Sequence, residues 1–276
     1  MNTLLLGATG LLGGALAQRL PAMTPTCAVR PRAGALPHHD RLRWLSASVD
    51  VTDHRTLDGA LDEADADVII NAVGVRGGGS NDEALLERVN ARFPHELASR
   101  AAARGARVIH ISTDGVFSGA RGNYSEADRP DPTDAYGQSK LAGEIGAPHL
   151  TIRTTFFGRT PRGAGLVEWL IAQRGRVEGF ADYRFSGLAV SILADLIAAA
   201  TIATPPLEGV YHVGGEATSK YELLSGVAEA FRLDVQVKPV RRGPAIDRTL
   251  NAGRFFAATG RPRPTLADSL AALAGA

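Results

Sequence analysis

A chain of 276 residues with a formal net charge of +1 has no basic surplus for gripping nucleic acid, and it can hold one large domain or a core with a small appended lobe. Hydrophobic residues make up 45% and charged residues 21%, the balance of a globular protein, and no apolar stretch is long enough to span a bilayer. A lone cysteine, Cys27, excludes an internal disulfide and a cysteine-built zinc site, and the opening Leu4–Leu6 is too short for a signal peptide, so a cytoplasmic location away from membranes is expected.

Thr3–Leu6 reads as a strand and Leu11–Leu20 as the helix after it, stopped by Pro21. Thr26–Val29 and Arg43–Val49 read as the next strands, followed by a helix over Arg55–Leu61 that Asp53 caps. Val68–Val73 is apolar enough for a strand covered on both faces. After a glycine-rich loop, Arg76–Ser80, a helical pattern runs to Arg104, and Pro94 should kink or divide it. Arg107–Ser112 is a strand, Thr133–Ile145 a helix and Leu150–Arg153 a strand. Beyond it the spacing predicts helices at Leu166–Ile171 and Ser191–Ala203 and a strand at Gly209–Val213. Ser219 with Glu222 forms a capping box for a helix to Phe231, and an Arg- and Pro-rich tail ends in a helix near Leu266–Leu273. This alternation predicts an α/β fold, a Rossmann-type doubly wound parallel sheet with a small C-terminal substrate lobe. The core should cover 1–155 with parts of 189–213, and the lobe mainly 156–276.

At the first strand-to-helix junction stands Gly7-Ala8-Thr9-Gly10-Leu11-Leu12-Gly13. Gly7 allows a tight turn, Gly10 lets backbone approach phosphates and Gly13 lets helix pack on strand, so Gly7, Thr9, Gly10 and Leu11 are candidate dinucleotide contacts. The plainer reading is a packing turn in an Ala/Gly-rich chain, but the motif's place before a full alternating pattern favours the cofactor. Arg30 and Arg32 stand where an NAD site wants a carboxylate; two guanidiniums suit a 2′-phosphate, so NADP is favoured over NAD. Solvated surface arginines are the alternative. Asp50 and Val51 are placed to touch adenine, and Asn71, Ala72 and Val73 to line the cofactor's middle.

Ser112-Thr113-Asp114 ends a strand, and the following helix carries Tyr136-Gly137-Gln138-Ser139-Lys140. Four-residue spacing puts Tyr136 and Lys140 on one face, where an ammonium would draw the phenol's pKa from about 10 toward the working range. Lys140 can also hold the nicotinamide ribose, and Thr113 can polarise a substrate carbonyl. A chance Tyr–Lys pair and a strand-closing threonine are the bland alternatives. Their order after a glycine loop favours catalysis by Thr113, Tyr136 and Lys140. His110 reads as a packed, satisfied core histidine, and His38 and His39 lack further ligands, so no metal site is expected.

Through Gly7–Gly13, Ser112–Gly119, Gly122–Glu126, Asp131–Glu144, Arg153-Thr154, Gly209–Val213 and Ser219–Glu222, the chain resembles an extended short-chain dehydrogenase/reductase, and within that superfamily the dTDP-4-dehydrorhamnose reductase group of nucleotide-sugar reductases. The resemblance implies an NADPH-dependent reduction of a keto group on a nucleotide-linked deoxysugar, with Thr113, Tyr136 and Lys140 at the group's catalytic positions. Gly115 departs from the aromatic residue usual after Ser-Thr-Asp, which points to another activated sugar. Such a substrate asks for cations and an apolar wall; Asp114, Gly74, Trp169, Phe180 and Arg248 are the candidate substrate residues. Phe185, Arg241, Arg242 and Arg254 are further candidates, most of these arginines being equally readable as surface residues. Two other readings stay open: an epimerase or dehydratase that retains its dinucleotide, and a non-catalytic NADP-binding regulatory subunit. Gly115 offers no second acid for dehydration. A homodimer is compatible with the sequence.

Overall fold

The computed structural model describes residues 1–20, 26–27, 42–45, 49–50, 53–76, 82–160 and 165–275. Strands β1 (Thr3–Leu6), β2 (Thr26–Cys27), β3 (Val68–Asn71), β4 (Arg107–Ile111) and β5 (Leu150–Arg153) join Gly209–His212 in a six-stranded sheet. Its order is Gly209–His212, β5, β4, β3, β1, β2, and the pairs β2–β1, β1–β3, β3–β4 and β4–β5 are parallel. The chain steps from β1 to β2 on one side and returns to β3 on the other. The carboxyl ends of β1 and β3 therefore flank a topological switch point, where α/β sheets bind ligands.

Helices cover this sheet because its strands have no polar face to give to water. Every residue of β1 and of β3 is buried. Leu4, Leu6, Ile69 and Val108 pack with Leu57 and Leu61 of helix α2 (His54–Ala64) and with Phe93, Leu97 and Ala101 of the helix Phe93–Ala102. Burying each such leucine, isoleucine or phenylalanine contributes about 1.5–3 kcal/mol. Asp53 caps α2 as expected, its carboxylate accepting from the Arg55 N–H at 3.0 Å.

The helical run after β3 is divided as expected near its proline, but by widening and not by a break. Helix α3 (Asp82–Leu86) leads into a π-helical stretch, Glu87–Arg92, and then helix α4 (Phe93–Ala102). Pro94 has no N–H to give to the carbonyl of Asn90 four residues back, and the wider turn absorbs that loss. Gly143 occupies the space gained, since a Cβ there would strike the Asn90 carbonyl oxygen.

Of the strand expected at Arg43–Val49, residues 46–48 lie outside the described residues. Among its described residues only Trp44 makes an isolated bridge. Leu45 and Val49 are buried in one cluster with Leu57 and Leu61 of α2, so this apolar pattern serves packing against a helix.

The chain divides into two compact units. The first comprises Met1–Val116, Pro132–Arg153 and Ala194–Tyr211; the second comprises Phe117–Asp131, Thr154–Leu193 and His212–Ala276. Residues 117–131, read from the sequence within 1–155, group with the second unit. Long-range bonds tie them there: Asn123 N–H donates to Thr249 Oγ1, Asp247 N–H to the Gly119 carbonyl and His212 N–H to Glu126. The tail holds more strand than its composition suggests. Val235–Val240 pairs in parallel with Gly175–Phe180, and Ile246–Arg248 with Tyr183–Phe185. Pro239 hides the first of these, a residue tolerated because that sheet has only two strands.

In the second unit the expected capping box is present. Ser219 Oγ accepts from Glu222 N–H at 3.1 Å, and Glu222 accepts from Ser219 N–H at 2.6 Å, opening Lys220–Ala230. Replacing Ser219 by Ala should cost about 1 kcal/mol in urea unfolding, whereas replacing exposed Gln236 should cost nothing measurable.

Candidate active site

The turn after β1 is built for close backbone approach. Gly7 has φ +87°, and a Cβ there would lie 2.8 Å from the Ala72 carbonyl carbon at the end of β3. Gly10 N–H donates to the Gly7 carbonyl at 3.0 Å and closes the turn. Helix α1 (Leu11–Arg19) then starts with Gly10 at its N-cap and no side chain capping it. Its first-turn N–H groups thus have no N-cap side chain as acceptor, and the positive end of the helix dipole lies at the switch point. That cradle is matched to an anion such as a pyrophosphate. Thr9, Leu11, Ala72 and Val73 are half-buried around it; Gly10 and Gly74 are exposed.

Asp50 is exposed, and its carbonyl accepts from the Thr56 hydroxyl at 3.0 Å. Arg30, Arg32, Val51 and the loop segment 77–80 lie outside the described residues.

Thr113 and Asp114 are buried at the carboxyl end of β4. Thr113 Oγ1 accepts from the Gly115 N–H at 3.0 Å and lies 3.2 Å from Asp114 Oδ1. Helix α5 (Ala135–Ala142) begins at Asp134, whose carboxylate accepts from Gly137 N–H at 2.6 Å. A Cβ on Gly137 would collide with the Gly115 carbonyl, so glycine there lets α5 press onto the end of β4. The result brings the Tyr136 phenol near the Thr113 side chain.

Two parts of the expected electrostatics come out differently. Burial pushes the Tyr136 phenol above its ordinary value; the Arg76 guanidinium and the nearby Thr113 hydroxyl oppose this. Arg76 lies over the Tyr136 ring at 5.6 Å, so the cation felt by the phenol is Arg76. Lys140 is turned elsewhere: its Nζ lies 3.3 Å from His110 Nε2, and burial lowers its pKa to about 8 against the opposing pull of Glu144. Helical spacing puts Tyr136 and Lys140 on one face, but β4 supplies Lys140 with its partner.

Sequence reasoning passed over several residues that hold this site. Asn90, in the π-helical stretch, accepts from Val75 N–H at 3.0 Å and donates to the Val75 carbonyl and to Ser139 Oγ. It ties the loop after β3 to α5. Glu144 forms two short bonds with Arg153 and accepts from Ser112 Oγ at 2.7 Å, fixing the end of α5 over β4 and β5. Trp169, Phe180 and Arg248 belong to the second unit, where both aromatics are exposed and, among the described residues, the buried Arg248 Nε has no hydrogen-bond partner. Among the described residues, no group of His, Cys, Asp and Glu could hold a metal ion.

The model of the RmlD substrate binding domain family matches residues 1–249. The chain belongs to that family. It is therefore an extended short-chain dehydrogenase/reductase, an NAD(P)-dependent oxidoreductase by class. It is 32% identical over 219 residues to the dTDP-4-dehydrorhamnose reductase of Mycobacterium tuberculosis, covering 73% of this chain and 71% of that one. It is also 27% identical over 266 residues to the methionine adenosyltransferase 2 subunit beta of Mus musculus, covering 89% and 77%. A solved dTDP-4-dehydrorhamnose reductase from Bacillus anthracis, in complex with NADP, has a TM-score of 0.80 and 22% identity over 99% of both chains, a likeness of fold.

Proposed function

We propose that the chain is an NADPH-dependent reductase of a keto group on a nucleotide-linked deoxysugar. The observation that carries this reading is the half-buried Tyr136 phenol, beside Thr113 and under the Arg76 guanidinium, at the end of the sheet that also bears the glycine cradle. Gly7, Thr9, Gly10 and Leu11 would hold the dinucleotide's phosphates, Ala72 and Val73 its middle, and Lys140 its nicotinamide ribose. Asn71, whose amide is already engaged between Val73 and His110, would act from behind. The bound nicotinamide supplies the hydride. Thr113 steadies the carbonyl oxygen, and Tyr136 donates the proton from its phenol.

Arg30, Arg32, Asp50 and Val51 are proposed for the adenosine end, and the arginine pair is the reason for preferring NADP. On the substrate side Asp114 and Gly74 would meet the sugar, with Trp169, Phe180 and Arg248 engaging the rest. The reductase named among the relatives supports this reading.

A panel of nucleotide-linked keto sugars assayed with NADPH and with NADH tests it. Stoichiometric loss of reduced-cofactor absorbance on a keto sugar, faster with NADPH, is expected. Tightly retained dinucleotide with no net loss would make the chain an epimerase instead. The likeness to the adenosyltransferase subunit favours a second reading as a non-catalytic partner, and dinucleotide binding without turnover on any sugar would establish it. A separate result is expected for Gly7→Ala. Its positive φ and the nearby Ala72 backbone should cost about 1–3 kcal/mol of stability, and NADPH affinity in a fluorescence titration should fall at least about tenfold.

A further inference from the structure

A buried hydrogen-bond chain runs from the loop after β3 to Lys140. Val73 N–H donates to Asn71 Oδ1 at 3.1 Å; Asn71 Nδ2 lies 3.1 Å from His110 Nδ1; His110 Nε2 lies 3.3 Å from Lys140 Nζ. Asn71 and His110 are cross-strand partners in β3 and β4, both fully buried, and Lys140 is 3% exposed.

The direction of every bond follows from the first. A backbone N–H can only donate, so the Asn71 oxygen faces Val73 and its NH2 faces His110. Nδ1 must then accept. A neutral imidazole carries one N–H, which is left to Nε2, and Nε2–H donates to Lys140. An ammonium has three donors and no lone pair; only the uncharged amine can accept. Protonating Nδ1 would set two donors against each other at Asn71, and flipping the amide would do so at Val73. Either arrangement leaves a buried donor unsatisfied, which the packed interior does not tolerate cheaply.

We propose that His110 is a positioning residue which, locked by Asn71 in its Nε2–H tautomer, holds Lys140 as an uncharged amine in the cofactor-free protein. Lys140 is then a group that takes up a proton near neutral pH, not a standing cation. The surroundings agree in sign. Burial lowers Lys140 to about 8 before the lone-pair requirement is added, and burial, the largest cause, holds the His110 imidazole well below its ordinary value. The charged or titratable groups facing the chain are Glu144 at the end of α5, itself paired with Arg153, and His95 from Phe93–Ala102. The role of Lys140 in turnover rests on the reading above; its charge state does not, so the two can fail separately.

The sequence makes the test tractable, because Lys140, Lys220 and Lys238 are its only lysines. In cofactor-free protein labelled with [13Cε]lysine and [15N]histidine, the signal absent from Lys140→Arg should titrate at or below about 8, well under the other two. The signal absent from His110→Asn should show an Nε2–H ring. Asn71→Asp puts an acceptor against Nδ1 and reverses the chain, so the Lys140 midpoint should rise by at least about one pH unit. In Asn71→Asp combined with His110→Phe, the new carboxylate's through-space pull persists but the chain is cut, and most of that rise should vanish. An Nδ1–H ring in the unmodified protein, a Lys140 signal titrating with the other two, or an undiminished rise in the double variant would each overturn the proposal. Should Asn71→Asp not fold, the ring tautomer and the Lys140 midpoint of the unmodified protein still decide it.

Discussion

Tyr136→Phe should lower kcat by about 10²–10⁴-fold while leaving NADPH affinity within twofold or so of the parent, measured by single-turnover kinetics and fluorescence titration. The substitution removes one oxygen from a site that stays satisfied without it, because the Thr113 hydroxyl keeps the Gly115 N–H and the Asp114 carboxylate. Loss of proton donation is therefore separable from loss of fold. The pH dependence has a definite sign. Burial raises the phenol above its ordinary value of 10.0, so the protonated, proton-donating form prevails through the neutral and mildly alkaline range. As a general acid it should sustain kcat/KM until the pH climbs past that raised value, where activity falls. A phenol-dependent loss of activity starting on the acid side of 7 would show that the group works as a base in another reaction. Parent-level turnover in Tyr136→Phe would remove the mechanism altogether.

Glu144→Ala should destabilise the protein by about 3–5 kcal/mol in urea or thermal unfolding. Glu144 and Arg153 have side chains only 9% and 5% exposed, and two N–H···O bonds of 2.8 and 2.7 Å join them. Truncating the acid takes a neutralising carboxylate and two hydrogen bonds from a buried guanidinium, and it frees Ser112 Oγ at the end of β4. Replacing both partners together, as in Glu144→Leu with Arg153→Met, removes the uncompensated charge and should recover much of the loss. A single-variant cost below about 1 kcal/mol would mean that water reaches the pair and screens it. Because Ser112 precedes Thr113, the single variant should also lower kcat more than it weakens cofactor binding.

The parallel sheet, its helices and the glycine turn were legible in the sequence because each rests on local patterning. Apolar strands β1 and β3, the spacing Gly7, Gly10, Gly13, the cap Asp53 and the Ser219–Glu222 box need only neighbours along the chain. Where long-range pairing decides, the pattern fell short. Leu45 and Val49 look like strand and serve a helix, while Val235–Val240 looks like tail and pairs with Gly175–Phe180.

The active residues divide in the same way. Helical spacing put Tyr136 and Lys140 on one face from sequence alone, and the motif order put Thr113 at the strand end. Only the register of β3 against β4, which sets Asn71 beside His110, decided that Lys140 meets an imidazole. Only the course of the chain after β3 brought Arg76 over the phenol. Covalent spacing fixes which groups share an element, but charge state depends on which dipoles and lone pairs meet across elements, and that is a property of the packed protein.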